Sequence, residues 1–236
     1  MGVCMFGSLQ KAYLAPFLAF MGLLALGEIV AHFFDGRAFW MVSAPRYWIF
    51  PLQTVVCGVI LVRYWRAYEW RLPARPVFTL GIAVLVFVIW ISPQAFLGAA
   101  PRLDGFDPGF FGGGGAYALN SALRWLRLVL VVPLLEEIFW RGFLLRYLIR
   151  EPFESVPFGT FSWRSFLWVT LFFALAHYGA GFWPPGPDFV PALFTGALYN
   201  FVAYRTRSLS SCVLAHALTN LLLGIYIVRT GQWGFW

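Results

Sequence analysis

Long stretches without charged side chains constrain the fold of this chain more than any other feature. Residues 77–101 contain no charged side chain, and residues 208–228 contain none apart from His216. A membrane-spanning helix needs about 20 apolar residues. Hydrophobic residues make up 61% of the chain and charged residues 11%, against about 25% charged in an ordinary soluble domain. The sequence therefore predicts an integral membrane protein.

The apolar runs predict an all-α fold, a polytopic transmembrane helix bundle of about seven spans, with six to eight as the range. Two breaks separate predicted helices: residues 104–115, whose four consecutive glycines predict a flexible loop, and residues 179–187. No repeat or linker divides the chain, so residues 1–236 are expected to form a single integral-membrane domain. The predicted helices cover residues 12–34, 47–65, 77–97, 119–149, 164–180, 189–204 and 208–228.

The basic residues predict the orientation of the bundle, because cytoplasmic loops carry an excess of Lys and Arg. Ten such residues are predicted to lie on the same side of the membrane as the N-terminus, and six on the opposite side. This bias places the N-terminus in the cytoplasm, and we expect a bacterial inner (cytoplasmic) membrane. The dispersed charges indicate contact with anionic lipid and no nucleic-acid binding. The first set is Lys11, Arg63, Arg66, Arg71, Arg75, Arg146, Arg150, Arg164, Arg205 and Arg207, and the second is Arg37, Arg46, Arg102, Arg124, Arg127 and Arg229.

Two adjacent acids, Glu136 and Glu137, interrupt the fourth apolar helix, with Arg141 just after them. Acids at membrane depth are costly, so they are rarely accidental. Neighbouring residues on a helix point about 100° apart, whereas residues four apart meet on one face. We therefore expect Glu137 to pair with Arg141 and to point away from the cavity, either as a structural ion pair or as support for catalysis. Glu136 is left as the candidate general base.

Two later helices carry polar groups of their own. His177 lies in one, and His216 and Asn220 share a face of the other because they are four residues apart. A lone histidine on an apolar helix is usually a core residue, and an asparagine can simply bridge helices. Three helices that each supply polar groups at similar depth favour a shared site. Glu28 and His32 are also four apart, and we expect a structural pair outside that site.

Three motifs occur in order on separate apolar helices and together resemble a known family. They are Glu136-Glu137-x-x-x-Arg141, Phe173-x-x-x-His177 and His216-x-x-x-Asn220. They resemble the motifs of the CPBP family, the CAAX prenyl protease-like intramembrane proteases, also called type II CAAX endopeptidases or Abi proteins. The resemblance covers about residues 119–228, which we take as the catalytic core. The general pattern is also similar to the bacterial subgroup associated with exosortase systems.

The resemblance implies an intramembrane endopeptidase in which Glu136 activates water and His177 helps to hold it. His216 and Asn220 would stabilise the oxyanion, and Glu137 and Arg141 would support the site. A base, a positioned water and hydrogen-bond donors are what peptide hydrolysis requires.

The nature of the catalytic group has two alternatives. Glu136, His177 and His216 could hold zinc with an open position for water. The zincin pattern His-Glu-x-x-His is absent, however, and asparagine is a poor zinc ligand. We favour a glutamate mechanism with no cofactor and keep a zinc metalloprotease as the alternative.

The substrate is not encoded in any motif. The resemblance implies a membrane-anchored protein or peptide cut near a membrane-associated C-terminal segment, with exosortase-system components as candidate partners. The competing class is a non-enzymatic membrane protein, either an immunity or chaperone-like factor or a proton-linked transporter that uses Glu136 and the histidines as a relay. An inverted repeat would favour the transporter, and none is visible.

Overall fold

The structure, a computed structural model, describes residues 8–34, 39–178 and 186–236. Most of these residues are helical, and none of them lies in a β-strand, which confirms the all-α class. The principal helices are α1 Ser8–Phe33, α2 Trp40–Ser43, α3 Arg46–Arg63, α4 Pro76–Ala95, α5 starting at Gly114, α6 Trp163–Leu175, α7 Phe189–Thr206 and α8 Leu209–Thr230.

Helix α5 is one uninterrupted helix in which two π segments lie between three α-helical segments. Its successive segments are Gly114–Leu126 (α), Arg127–Val131 (π), Val132–Glu137 (α), Ile138–Leu144 (π) and Leu145–Tyr147 (α). Four short 3₁₀ turns lie between or after the principal helices, at Trp65–Ala67, Pro108–Phe111, Phe153–Ser155 and Trp233–Phe235.

All seven predicted helices are present, each with ends within about five residues of the prediction. The four-residue helix α2 was not predicted. Three helices, Leu9–Phe33, Pro76–Ala95 and Leu209–Thr230, are long and apolar enough to cross a membrane by length and composition. Large apolar side chains such as Leu18, Val59 and Val77 are exposed on the outside of the bundle, as lipid contact requires. The number of spans stays a prediction.

Helix α8 lies at the centre of the bundle, packed against α4, α5 and α7. Thr219 of α8 donates a hydrogen bond to the Ala83 carbonyl of α4 at 3.0 Å and accepts one from Tyr199 of α7 at 2.8 Å. A Cβ on Gly224 would lie 2.6 Å from the ring of Trp125, so α8 and α5 can approach this closely only through a glycine. This packing brings the predicted motif helices into direct contact.

Several arginines lie elsewhere than the orientation argument assumed. Arg124, Arg127 and Arg146 are buried inside the bundle, although all three were counted in the orientation argument. They belong to α5 and lie against aromatic rings, and Arg146 also forms a salt bridge with Glu69. If Arg146 is left out of the first set and Arg124 and Arg127 out of the second, the first set still has more basic residues. The predicted cytoplasmic side therefore stays the more basic side. Arg37 and residues 179–185 of the second break lie outside the described residues.

Two further predictions are corrected by the packing. Part of the glycine-rich segment is anchored, because Phe106 is buried and the backbone of Gly105 lies against that of Trp233. Glu28 and His32 are both exposed, and within the described part of the chain no ion pair joins them. The helical spacing that permits such a pair does not enforce it where water or headgroups can solvate both side chains.

Candidate active site

The local register of α5 creates a hydrogen-bond acceptor for the third motif. The Val132 N–H bonds to the Arg127 carbonyl, five residues back, as in a π turn. In that register the next carbonyl, Leu128 O, would pair with residue 133, which is a proline and has no N–H. Asn220 Nδ2 donates to Leu128 O at 2.8 Å instead. Pro133 therefore leaves the Leu128 carbonyl free to accept the hydrogen bond that holds Asn220.

The second acid of the pair joins two motifs. Glu137 Oε1 accepts a hydrogen bond from Arg141 Nη1 at 3.0 Å and another from His216 Nδ1 at 2.8 Å. Glu137 and Arg141 are completely buried, so both bonds form in a low-dielectric environment. The predicted pairing with Arg141 is correct. Glu137 does not line the cavity, as expected, but its carboxylate also accepts from His216, a contact that was not predicted.

The contact between Glu137 and His216 has a geometric reason. Glu136 and Glu137 do point in different directions, and Glu136 lines the cavity whereas Glu137 does not. Helix α8 packs so closely against this part of α5 that the His216 ring contacts the Glu137 carboxylate while also lining the cavity. A carboxylate accepts several hydrogen bonds, so pairing with Arg141 leaves room for His216.

Arg141 is held by residues that the sequence did not single out. Its Nε donates to Asn200 Oδ1 at 3.1 Å and its Nη2 to the Gly196 carbonyl at 3.2 Å. Asn200 in turn donates to Thr170 Oγ1 at 3.1 Å. This network ties α5 to α6 and α7. The polar residues of α7 inside an apolar helix were the available signal, but their spacing matched no motif.

The second motif fixes the tautomer of its histidine. His177 Nδ1 lies 2.8 Å from the carbonyl of Phe173, four residues earlier, and a carbonyl only accepts, so Nδ1 carries the proton. The ring also packs beside the rings of Phe173 and Trp90. When His177 is neutral, its Nε2 is therefore the unprotonated nitrogen available to the cavity.

The four predicted catalytic residues line one cavity of about 280 Å³. Glu136 is 7% exposed, and its buried Oε2 has no hydrogen-bond partner among the residues that the structure describes. His177, His216 and Asn220 contribute from α8 and the end of α6, and Tyr199 and Thr219 complete this part of the wall. The cavity therefore combines an unpartnered carboxylate oxygen with two imidazoles and an amide.

Two cavity residues were missed as site residues. Arg124 and Arg127 lie one helical turn apart on α5 and line the same cavity as Glu136. The available signal was their position inside the predicted helix of the acid motif, but they were used only as basic residues in the orientation argument.

The zinc alternative can be compared with the side chains present. Glu136, His177 and His216 share the cavity, yet among residues 8–34, 39–178 and 186–236 no three His, Cys, Asp or Glu side chains form a group that could hold a metal ion. The geometry therefore supplies no ligand set for zinc, and metal dependence stays a prediction for experiment.

The part of the chain that carries the three motifs is also the part that matches a known family. Residues 118–222 match the model of the family described as Type II CAAX prenyl endopeptidase Rce1-like. This match covers less than half of the chain and supports the CAAX protease family for that region. It indicates protease activity of the intramembrane CAAX type, and the apolar helices support an integral membrane protein. The matched region contains all three motifs. No curated protein and no solved structure matches the chain.

Proposed function

We propose that this CAAX-type protease is a glutamate endopeptidase in which Glu136 is the general base. The observation that carries the proposal is the buried Glu136 Oε2, which has no partner in the described part of the chain and belongs to a cavity shared with His177, His216 and Asn220. A buried acceptor without a partner is costly, and a water molecule in the cavity would satisfy it.

The water is held between Glu136 and the second motif. Because His177 Nδ1 donates to the Phe173 carbonyl, His177 Nε2 can accept one water proton. Glu136 accepts the other and removes it as the water oxygen attacks the scissile carbonyl carbon. The proton then passes from Glu136 to the leaving amide nitrogen when the C–N bond breaks, so the base is regenerated.

The negative charge of the tetrahedral intermediate is stabilised by the third motif. Asn220 Nδ2 uses one N–H for the Leu128 carbonyl, and its second N–H is available to the oxyanion. His216 Nδ1 donates to Glu137, which fixes the orientation of the ring, and a donor at Nε2 would require the ring to carry both protons while it stabilises the oxyanion. Donors that are fixed in advance in a water-poor cavity are worth more than the same donors in water.

The substrate in this proposal is a membrane-anchored protein cut near a membrane-associated C-terminal segment. The family match supports a substrate of this general kind. Location in a bacterial inner membrane and a connection to exosortase-system components are retained as hypotheses, to be tested by fractionation and co-purification.

Glu136→Gln tests the general base, because glutamine keeps the size of the side chain and cannot take the proton. We expect cleavage of a co-expressed membrane-anchored reporter, followed as a mobility shift, to be lost while the protein still inserts and folds. His32→Ala is the control, since this histidine is exposed and outside the cavity. Full cleavage by Glu136→Gln would refute the proposed base and favour another catalytic group.

A further inference from the structure

Two buried arginines on the cavity wall have no role in the proposed hydrolysis. Arg124 and Arg127 are 3% and 7% exposed and are three residues apart on α5, so they share a face of the helix. Both line the cavity that contains Glu136. Burying a guanidinium is costly unless its charge and its N–H groups are satisfied.

The partners of these arginines satisfy only part of each side chain. The Arg124 guanidinium lies over the rings of Phe50 and Phe106, 4.6 and 5.4 Å from their centroids. Its Nε and Nη1 are buried and have no hydrogen-bond partner. Ring contacts stabilise the flat face of a guanidinium but leave its in-plane N–H donors without acceptors.

Arg127 is similarly incomplete. Its Nε donates to Gln53 Oε1 at 3.0 Å, and its guanidinium lies over the ring of Phe50 at 4.2 Å. In the part of the chain that the structure describes, no carboxylate forms a salt bridge with Arg124 or Arg127. This part of the cavity wall therefore presents two guanidiniums, and Nε and Nη1 of Arg124 still lack acceptors.

The acids of the cavity form no salt bridge with these two arginines in the described part of the chain. Asp188 also lines the cavity, but it is paired with Arg102. Glu136 is the other acid of the cavity wall, and it forms no salt bridge with either arginine. The two guanidiniums thus form a site for an anion, and their planar donor pattern fits a carboxylate or a phosphate.

We propose that Arg124 and Arg127 bind the free C-terminal carboxylate of the peptide substrate. This inference rests on the proposed function, because it places the anion and the scissile bond in one cavity. An anion on the arginines and a peptide bond at Glu136 then belong to the same bound molecule. A cavity of about 280 Å³ accepts a short peptide tail more readily than a two-chain lipid.

Binding can be measured without turnover by using the Glu136→Gln protein in phosphatidylcholine nanodiscs. The probes are two matched pools of fluorescent, N-palmitoylated decapeptides of degenerate sequence, one with a C-terminal acid and one with a C-terminal amide. We expect the acid pool to bind about 10–100-fold more tightly, since a charge-assisted pair is lost in the amide. The amide pool alters the ligand alone, so the comparison does not depend on whether an arginine variant folds.

Arginine variants made in the Glu136→Gln protein show which residue causes the preference for C-terminal acids over amides. Arg124→Gln and Arg127→Gln should bring the affinity for acids close to that for amides, while Arg124→Lys should retain part of the difference. Arg229→Gln is the matched control, because Arg229 is exposed on the last turn of α8, and it should preserve the full acid preference.

Cleavage of the two pools by the unmodified protein, analysed by mass spectrometry, separates this inference from the proposed function. Acid preference in binding without any cleavage would support the arginine site and refute the protease mechanism. Equal binding and equal cleavage of acids and amides would refute the arginine site and leave the protease mechanism standing. Loss of the acid preference when phosphatidylglycerol is added would reassign the site to lipid headgroups and also overturn the proposal.

Discussion

Glu137→Gln should destabilise the protein and inactivate it for two separable reasons. Glutamine keeps the size of the side chain and one acceptor oxygen, so the change removes the charge alone. In the wild type this charge is shared by Arg141 Nη1 at 3.0 Å and His216 Nδ1 at 2.8 Å, and both Glu137 and Arg141 are fully buried. The substitution therefore leaves the Arg141 guanidinium as an uncompensated buried cation.

The magnitude follows from those two contacts. A hydrogen bond to a charged group contributes about 1.5–3 kcal/mol, and a neutral one about 0.5–1.5 kcal/mol. Arg141 keeps its charge and the glutamine oxygen can still accept, so the loss does not exceed that of breaking a buried ion pair, which typically costs about 3–5 kcal/mol. We expect the free energy of unfolding to fall by about 2–5 kcal/mol. Loss of the carboxylate that orients an imidazole should slow cleavage by about 10²–10⁴-fold.

Unfolding of purified protein in mixed micelles with increasing SDS, together with reporter cleavage, measures both effects. His216→Ala keeps the Glu137–Arg141 pair, so it should lose cleavage with a smaller loss of stability. Glu154→Gln is the matched control, since Glu154 is exposed and should change neither quantity. If Glu137→Gln matches Glu154→Gln in stability to within about 0.5 kcal/mol, the buried charge pair is not formed in the membrane and the argument fails.

Three further outcomes are expected. Asn220→Ala should reduce the cleavage rate by about 10²–10³-fold, because it removes an oxyanion donor; a change of less than about threefold would assign that task elsewhere. Gly224→Ala should lower stability by about 1–3 kcal/mol through overpacking, since the new Cβ would lie 2.6 Å from the Trp125 ring, whereas Gly58→Ala meets nothing within 4 Å and should be tolerated. Chelator treatment should leave cleavage intact and purified protein should contain less than stoichiometric zinc; activity that is lost with EDTA and restored by zinc would favour the metalloprotease alternative.

Much of the fold was predictable because local sequence decides local structure in an apolar chain. Long uncharged runs leave the helix as the structure that satisfies every backbone hydrogen bond in lipid, so the seven predicted helices were found. The Glu137–Arg141 pair was predictable for a similar reason, since residues four apart on a helix are neighbours by construction. The order of the three motifs was equally visible in the sequence.

The sequence could not predict where those helices meet. The contact between Glu137 and His216 joins residues 79 positions apart, and it depends on how closely α8 packs against α5. Asn220 reaches Leu128 O because a π turn and a proline free that carbonyl on a neighbouring helix. Neither contact follows from the spacing within a motif.

By itself the sequence determined the all-α class and the positions of the helices, and it supplied a candidate set of residues for hydrolysis. The tertiary structure decided which of those residues share a cavity and which buried charges have partners. Arg124 and Arg127 illustrate the difference, since the sequence gives their charge but only the packing of the aromatic rings around them determines that they are buried beside Glu136. Helical periodicity fixes neighbours within about one turn, whereas contacts between helices depend on side-chain shapes along both partners, and no local pattern specifies them.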